Sequence, residues 1–221
     1  AENAAIQNNT ATDLKDLNNG DGGGIYLSGS GYSGFPVVNQ NGGKVSGNNA
    51  RRGGGIYVSR GQFNAAGGSV TGNSAINNGG GVHVSNSDTV TLSGGMTITG
   101  NKLGTDSDKT ENNLYLNMSS LRVAAAGLTD GAAIGVITAS APTAENALTI
   151  TSDTVTKNYF ISDNSAYETA IGSDGYVVLR PKTAKTYIVR LSLPENGSAS
   201  RVETTGELIQ TVMEGSNDYR L

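Results

Sequence analysis

The chain has 221 residues, a formal net charge of −4 and 15% charged residues, a balance with no electrostatic footprint for nucleic acid. Zero cysteines exclude disulfide staples and cysteine-ligated metal, and no apolar run approaches the ~20 residues of a membrane helix. Thirty-two glycines beside 36% apolar and 5% aromatic residues cannot fill a broad globular core, but they suit a narrow one extended along an axis.

Two phrases recur along the chain. Ile6-Gln7-Asn8-Asn9-Thr10-Ala11 returns as Val45-Ser46-Gly47-Asn48-Asn49-Ala50 and as Val70-Thr71-Gly72-Asn73-Ser74-Ala75, so the chain is expected to begin inside a repeat and to belong to something longer. The second phrase is Gly22-Gly23-Gly24-Ile25-Tyr26-Leu27, then Gly53-Gly54-Gly55-Ile56-Tyr57-Val58, then Gly79-Gly80-Gly81-Val82-His83-Val84, with a degenerate copy at Asn112-Asn113-Leu114-Tyr115-Leu116. The third glycines, Gly24, Gly55 and Gly81, lie 31 and 26 residues apart, a period that marks stacked repeats. In each copy two aliphatic residues flank one that points the other way, which predicts a short strand. Ile25, Ile56, Val82 and Leu114 then form one inward column, and Leu27, Val58, Val84 and Leu116 a second. The glycines are read as supplying corner angles that other residues avoid.

Residues 12–21 are a polar excursion. The clean repeat at 53–75 predicts strands at 56–59, 62–65 and 69–71, with Phe63 inward beside Val38 and Val90. Gln40 falls in a column with Ala65 and Leu92, so it needs a buried partner or a register slip at 31–36, where this repeat carries extra residues. Met96-Thr97-Ile98 is one residue longer than its counterpart and predicts a bulge. Asn9, Asn48, Asn73 and Asn101 share one position, where amides stacked about 4.8 Å apart can bond along the axis. After Lys102 comes an acidic loop. More widely separated strands follow at 121–124, 133–137, 147–151, 159–162 and 175–179, as atypical closing coils. Residues 180–183 read as a linker, and 186–193 with 208–213 as a small β-rich pair.

These phrases resemble the repeats of large surface proteins of Gram-positive gut bacteria, and are similar to the Gly-Gly-(Ala/Ile) repeats of polymorphic outer-membrane proteins and other adhesin-type right-handed β-helices. Glu111-Asn112-Asn113-Leu114-Tyr115-Leu116, 128–136 and 159–165 resemble the segment that closes such arrays, and 186–221 the small β-rich repeats that follow. The resemblance implies a bacterial cell-surface or secreted location. The expected fold is all-β, a right-handed parallel β-helix of about five or six coils over 1–180, with a small β-rich segment at 184–221. An exported protein without thiols fits this reading, although Ala1 onward carries no signal-peptide pattern.

Tyr26, Tyr57, His83 and Tyr115 form an outward aromatic column. It has two readings: a stacking platform for sugar rings, or cross-strand pairs that stabilise the sheet by about 0.2–1 kcal/mol each. His83 is the sole histidine, with no partner for a zinc site and no Gly-x-Ser-x-Gly elbow to serve, and is expected to be exposed and structural. Asp106, Asp108 and Glu111, like Asp13, Asp16 and Asp21, are weak calcium candidates because neither spacing fits a known calcium loop. Arg51-Arg52, the only basic doublet, reads as a solvated corner. Leu193-Pro194-Glu195-Asn196-Gly197 resembles a sortase signal but has Asn196 where Thr is required. No cofactor is called for. The expected function is a non-enzymatic stalk or adhesive module, with a host or dietary glycan or a host surface protein as partner. The rival is a secreted polysaccharide lyase or glycoside hydrolase, which needs paired carboxylates, or a carboxylate with a positioned Arg or Lys, on neighbouring outward positions.

Overall fold

The computed structural model describes residues 4–11, 20–29, 34–85, 89–104, 110–117, 122–183, 186–189 and 202–205. Every regular element among them is a β-strand. The chain divides into two compact units, Ala1–Pro181 and Lys182–Leu221. In the second, Thr186–Val189 pairs antiparallel with Val202–Thr205. The predicted residues 208–213 lie outside the described residues.

The first unit is built from short parallel strands lying over one another in register. Ile25–Leu27, Ile56–Val58, Val82–Val84 and Leu114–Leu116 pair residue for residue, Ile25 with Ile56, Ile56 with Val82, and Val82 with Leu114. A second stack runs from Ala5–Gln7 through 44–46 and 69–71 to Thr97–Thr99. A third brings Val38 and Val90 against Phe63. Thr10–Ala11, Asn49–Arg52, Ser74–Asn78 and Lys102–Leu103 form a separate parallel sheet, closed by the antiparallel pair Thr110–Glu111.

Alternation decides what these strands bury. Ile56, Val58, Val82, Val84, Leu114 and Leu116 are at most 1% exposed, and Phe63, Val70, Leu92 and Ile98 are fully buried. Each such side chain contributes roughly 1.5–3 kcal/mol on leaving water. Ala133–Thr138 pairs with two stacks at once. Ala133 and Ile134 join Thr97 and Ile98, while 136–138 join Leu114–Leu116. One strand thus joins stacks that are separate in earlier rungs, and the twelve-stranded sheet is strongly curled, a half-barrel.

Several expectations are modified. Gln40 stays in register with Ala65, and the slip comes just after it, between Gln40 and Lys44. Its Nε2 donates to the Ser69 carbonyl at 3.4 Å. Leu92 lies over Ala65 but Thr97 over Ser69, so the extra residue of the third copy falls between them. The chain does not continue in parallel rungs up to residue 180. Leu148–Thr149, Val177–Pro181 and Tyr167–Ile171 make a three-stranded antiparallel sheet. The cause is the tight connection at Gly172 and Gly175: Gly172 N donates to the Tyr176 carbonyl at 2.7 Å, and Gly175 takes φ +82°. So short a link joins only antiparallel neighbours, since a parallel pair needs a long crossover.

Candidate functional site

The aromatic column exists as a stack, with ring centroids 5.5 Å apart from Tyr26 to Tyr57, 4.8 Å from Tyr57 to His83 and 4.9 Å from His83 to Tyr115. It is not the open surface expected. Tyr57 is 3%, His83 1% and Tyr115 8% exposed, whereas Tyr26 is 54% exposed. Part of the cover over Tyr57 and His83 is the chain before their glycine triplets, at Arg52 and Asn78. Gly53 turns at φ +61°, where a Cβ would strike the Ile56 carbonyl and the Tyr57 backbone, and Gly22 and Gly79 also take a positive φ. Arg52 lies over the Tyr57 ring, 4.9 Å from its centroid.

The basic doublet is correspondingly not a solvated corner. Arg52 grips Asp21 through Nε at 3.1 Å and a terminal nitrogen at 2.6 Å, and Arg51 adds a third bond at 3.1 Å. Burial pulls the Asp21 carboxyl upward, but the hydrogen bonds and charges of Arg52 and Arg51 outweigh it and hold it below 3.8. Neither ring nitrogen of His83 makes a hydrogen bond of ordinary geometry, although the Asn78 backbone lies near enough to act on the imidazole. Burial and the nearby Arg52 charge push this imidazole down to about 4, against a weaker opposing pull from the Asn78 backbone, so it is neutral at physiological pH. The expectation of an exposed histidine is corrected on the same ground.

Asn9, Asn48, Asn73 and Asn101 form a continuous amide chain. Asn9 Nδ2 donates to Asn48 Oδ1 at 2.9 Å, Asn48 Nδ2 to Asn73 Oδ1 at 2.9 Å, and Asn73 Nδ2 to Asn101 Oδ1 at 2.9 Å. Each receiving Oδ1 also accepts the backbone N–H of the donor residue, at 3.0–3.1 Å. Each later Nδ2 uses its other hydrogen on a carbonyl of the previous rung: Asn48 on Ile6, Asn73 on Val45, Asn101 on Val70. That carbonyl lies three residues before the preceding asparagine each time, at Ile6, Val45 and Val70.

Two members escaped the sequence reading. Asn101 Nδ2 donates to Asn113 Oδ1 at 3.0 Å, and Asn113 Nδ2 donates to Asp163 Oδ1 at 2.7 Å. Asn113 sits opposite Gly81 in the strand register, so it aligns with the glycines rather than with Asn101. Burial raises the Asp163 carboxyl to about 6, with the Asn113 hydrogen bonds pulling against it, Glu111 adding to it and Lys102 opposing it.

The same ladder explains Gly24, Gly55 and Gly81, for which the corner-angle reading fails: only the first glycine of each triplet takes a positive φ. A Cβ on Gly55 would meet Gly81 O at 2.7 Å and Asn73 Nδ2 at 3.0 Å, and Gly24 and Gly81 face Asn48 and Asn101 in the same way.

Of the calcium candidates, Asp106, Asp108, Asp13 and Asp16 lie outside the described residues. Glu111 pairs with Lys102 and accepts from Asn113 Nδ2 at 3.1 Å. No group of three metal-ligating side chains occurs among the described residues, and no described helix is long and apolar enough to cross a membrane. Comparison with family models, curated proteins and solved structures gives no match for the chain.

Proposed function

We propose that the chain is a stretch of right-handed parallel β-helix, related to the repeat regions of bacterial adhesin-like surface proteins, that serves as a non-enzymatic stalk or adhesive module. In this reading it is extracellular, belongs to a longer multidomain chain, and meets a host or dietary glycan or a host surface protein. The observation that carries the proposal is the use of its polar and aromatic side chains. Asn48, Asn73 and Asn101 bond along the axis, Tyr57, His83 and Tyr115 stack along it, and Arg51 and Arg52 close on Asp21, so groups that could do chemistry hold rungs together. Right-handedness is supported by the near-universal hand of crossovers between parallel neighbours.

Among the described residues, the exposed rings offered for adhesion are Tyr26 at 54% and Phe35 at 58%. Apolar rings of this kind at a rigid sheet suit a sugar face. On a glycan array, the native chain is expected to bind a subset of glycans, and Tyr26→Ser is expected to lose that binding with an unchanged melting temperature. Equal binding by the variant rules out this surface. New reducing ends after incubation with polysaccharides would replace the adhesive reading with the hydrolytic or lyase one.

A further inference from the structure

His83 is the exception in the aromatic column. Its neighbours are tyrosines, with centroids 4.8 Å away at Tyr57 and 4.9 Å away at Tyr115, and neither gains a charge as pH falls. His83 does, yet it is 1% exposed, and both its ring nitrogens are buried without a hydrogen bond of ordinary geometry. Buried polar atoms left in this way are rare and call for a reason. The residues over the rings repeat with them. Arg52 stands five residues before Tyr57 and Asn78 five before His83. The two are strand partners, and Gly53 N donates to the Asn78 carbonyl at 3.0 Å. Arg52 is held over the Tyr57 ring by its two bonds to Asp21, which also takes one from Arg51.

We propose that Arg52 and Asn78 form an acid-opened cover over the column: when His83 takes up a proton, they lift from the rings and bare Tyr57 and His83 to solvent. Two features set the closed form against the proton. An imidazolium has two N–H groups to satisfy, and beyond the Asn78 backbone no acceptor is at hand. Its charge also meets Arg52 and Arg51, with Asp21 as the opposing carboxylate, so two cations act on it against one anion. The Tyr57 and Tyr115 rings that face it are neutral throughout the acid range. Asp21 keeps its own charge, because the two arginines hold its carboxyl below 3.8. Opening leaves the core closed, since Ile56, Val58, Val82 and Val84, at most 1% exposed, alternate with the rings and face the other side of the strands. With the imidazole at 6.5 in water and about 4 in the stack, opening gains roughly a hundredfold between pH 7 and pH 4. A ring surface closed at neutral pH thus becomes available in acid, with a histidine as the switch. The inference rests on the stack and its cover, independently of helical hand or adhesive role.

The test is NMR of the full chain from pH 7 down to pH 3.5, in which the sole histidine gives one titration curve and a neutral soluble nitroxide reads ring exposure. His83 is expected to titrate below 6.5. Nitroxide relaxation of the Tyr57 and His83 ring protons is expected to rise along that curve, while the Val70 and Ile98 methyl groups stay protected. Amide exchange at Gly53 and Gly79, corrected for the intrinsic effect of pH, is expected to report the roughly hundredfold gain in opening. His83→Phe and His83→Tyr each keep a ring in the stack that takes no proton, and both are expected to stay covered throughout. The proposal falls if the rings remain covered after His83 has titrated, since the tyrosine faces then hold the imidazolium in place. It falls equally if both variants open like the native chain, or if Val70 and Ile98 become exposed together with the rings.

Discussion

Two buried or half-buried titrating residues pull the stability of the first unit in opposite directions. His83 is held neutral in the stack, its imidazole near 4 instead of 6.5. Above pH 6.5 both folded and unfolded chains leave it uncharged. As pH falls from 6.5 to 4 the unfolded chain takes up the proton first, so stability is lost on acidification. Asp163 behaves the other way, with its carboxyl near 6 instead of 3.8. Its contribution is complete below pH 3.8 and is lost as pH rises through 6, because the unfolded chain then releases its proton first. Each effect is at most about 3 kcal/mol, since tenfold in proton affinity is worth about 1.4 kcal/mol. Over pH 4–6 they largely cancel in the native chain. His83→Tyr, which places the side chain of the other three rungs in the stack, is expected to leave stability falling as pH rises from 4 to 6. Asp163→Asn is expected to leave it falling as pH drops from 6.5 to 4. Urea unfolding at pH 4, 5, 6 and 7 reads both slopes, and flat profiles in the two variants would remove these residues as the cause.

At the scale of the turn and strand, the three glycines of one triplet have separate duties. In the clean copy, Gly53 makes the turn, Gly54 lies between the carbonyls of Ser74 and Gly80, and Gly55 leaves room for the Asn73 amide. A Gly55→Ala Cβ would strike both the backbone of the next rung and the ladder. Gly42, by contrast, has open space and an ordinary φ. Gly55→Ala is therefore expected to cost several kcal/mol, and Gly42→Ala to be neutral or stabilising by up to about 1 kcal/mol. Urea midpoints of the two variants check this, and similar midpoints would mean that Gly55 has no such neighbour. The aliphatic columns were legible from the sequence because the repeat itself carries the register: Ile25, Ile56, Val82 and Leu114 recur in phase with their glycines, and they pair in that phase. The cover over Tyr57 and His83 was not. Alternation within a strand tells which way a ring points but not whether another segment returns to lie on it, and the residues that do so, such as Arg52, belong to the stretch before the turn. Asp163 was hidden because it joins the ladder from outside any repeat, through a strand, Phe160–Ser162, that has neither phrase.

Across the whole molecule, strands that carry neither repeat phrase follow the parallel stacks in the first unit and complete its core there. The parallel stacks converge on Ala133–Thr138, and Phe160–Ser162 adds beside it. Beyond them the antiparallel sheet places Val177–Pro181 between Leu148–Thr149 and Tyr167–Ile171. Val177 and Leu179 are at most 1% exposed, Ile150 is fully buried, and Ile150 N donates to the Val177 carbonyl at 2.7 Å. Val177–Pro181 thus completes the core of this end, although the sequence from 180 onward reads as a linker. Burying Val177 and Leu179 is worth roughly 3–6 kcal/mol at 1.5–3 kcal/mol per side chain. Losing the strand also leaves Leu148–Thr149 and Tyr167–Ile171 unpaired. A chain ending at Pro181 is expected to melt with the main transition of the full chain. One ending at Gly172 is expected to melt about 6–24 °C lower, because this loss moves a domain of this size by about 2–4 °C per kcal/mol. Thermal unfolding followed by far-ultraviolet circular dichroism separates the cases. Equal melting of the two truncations would mean that the core ends before the antiparallel sheet.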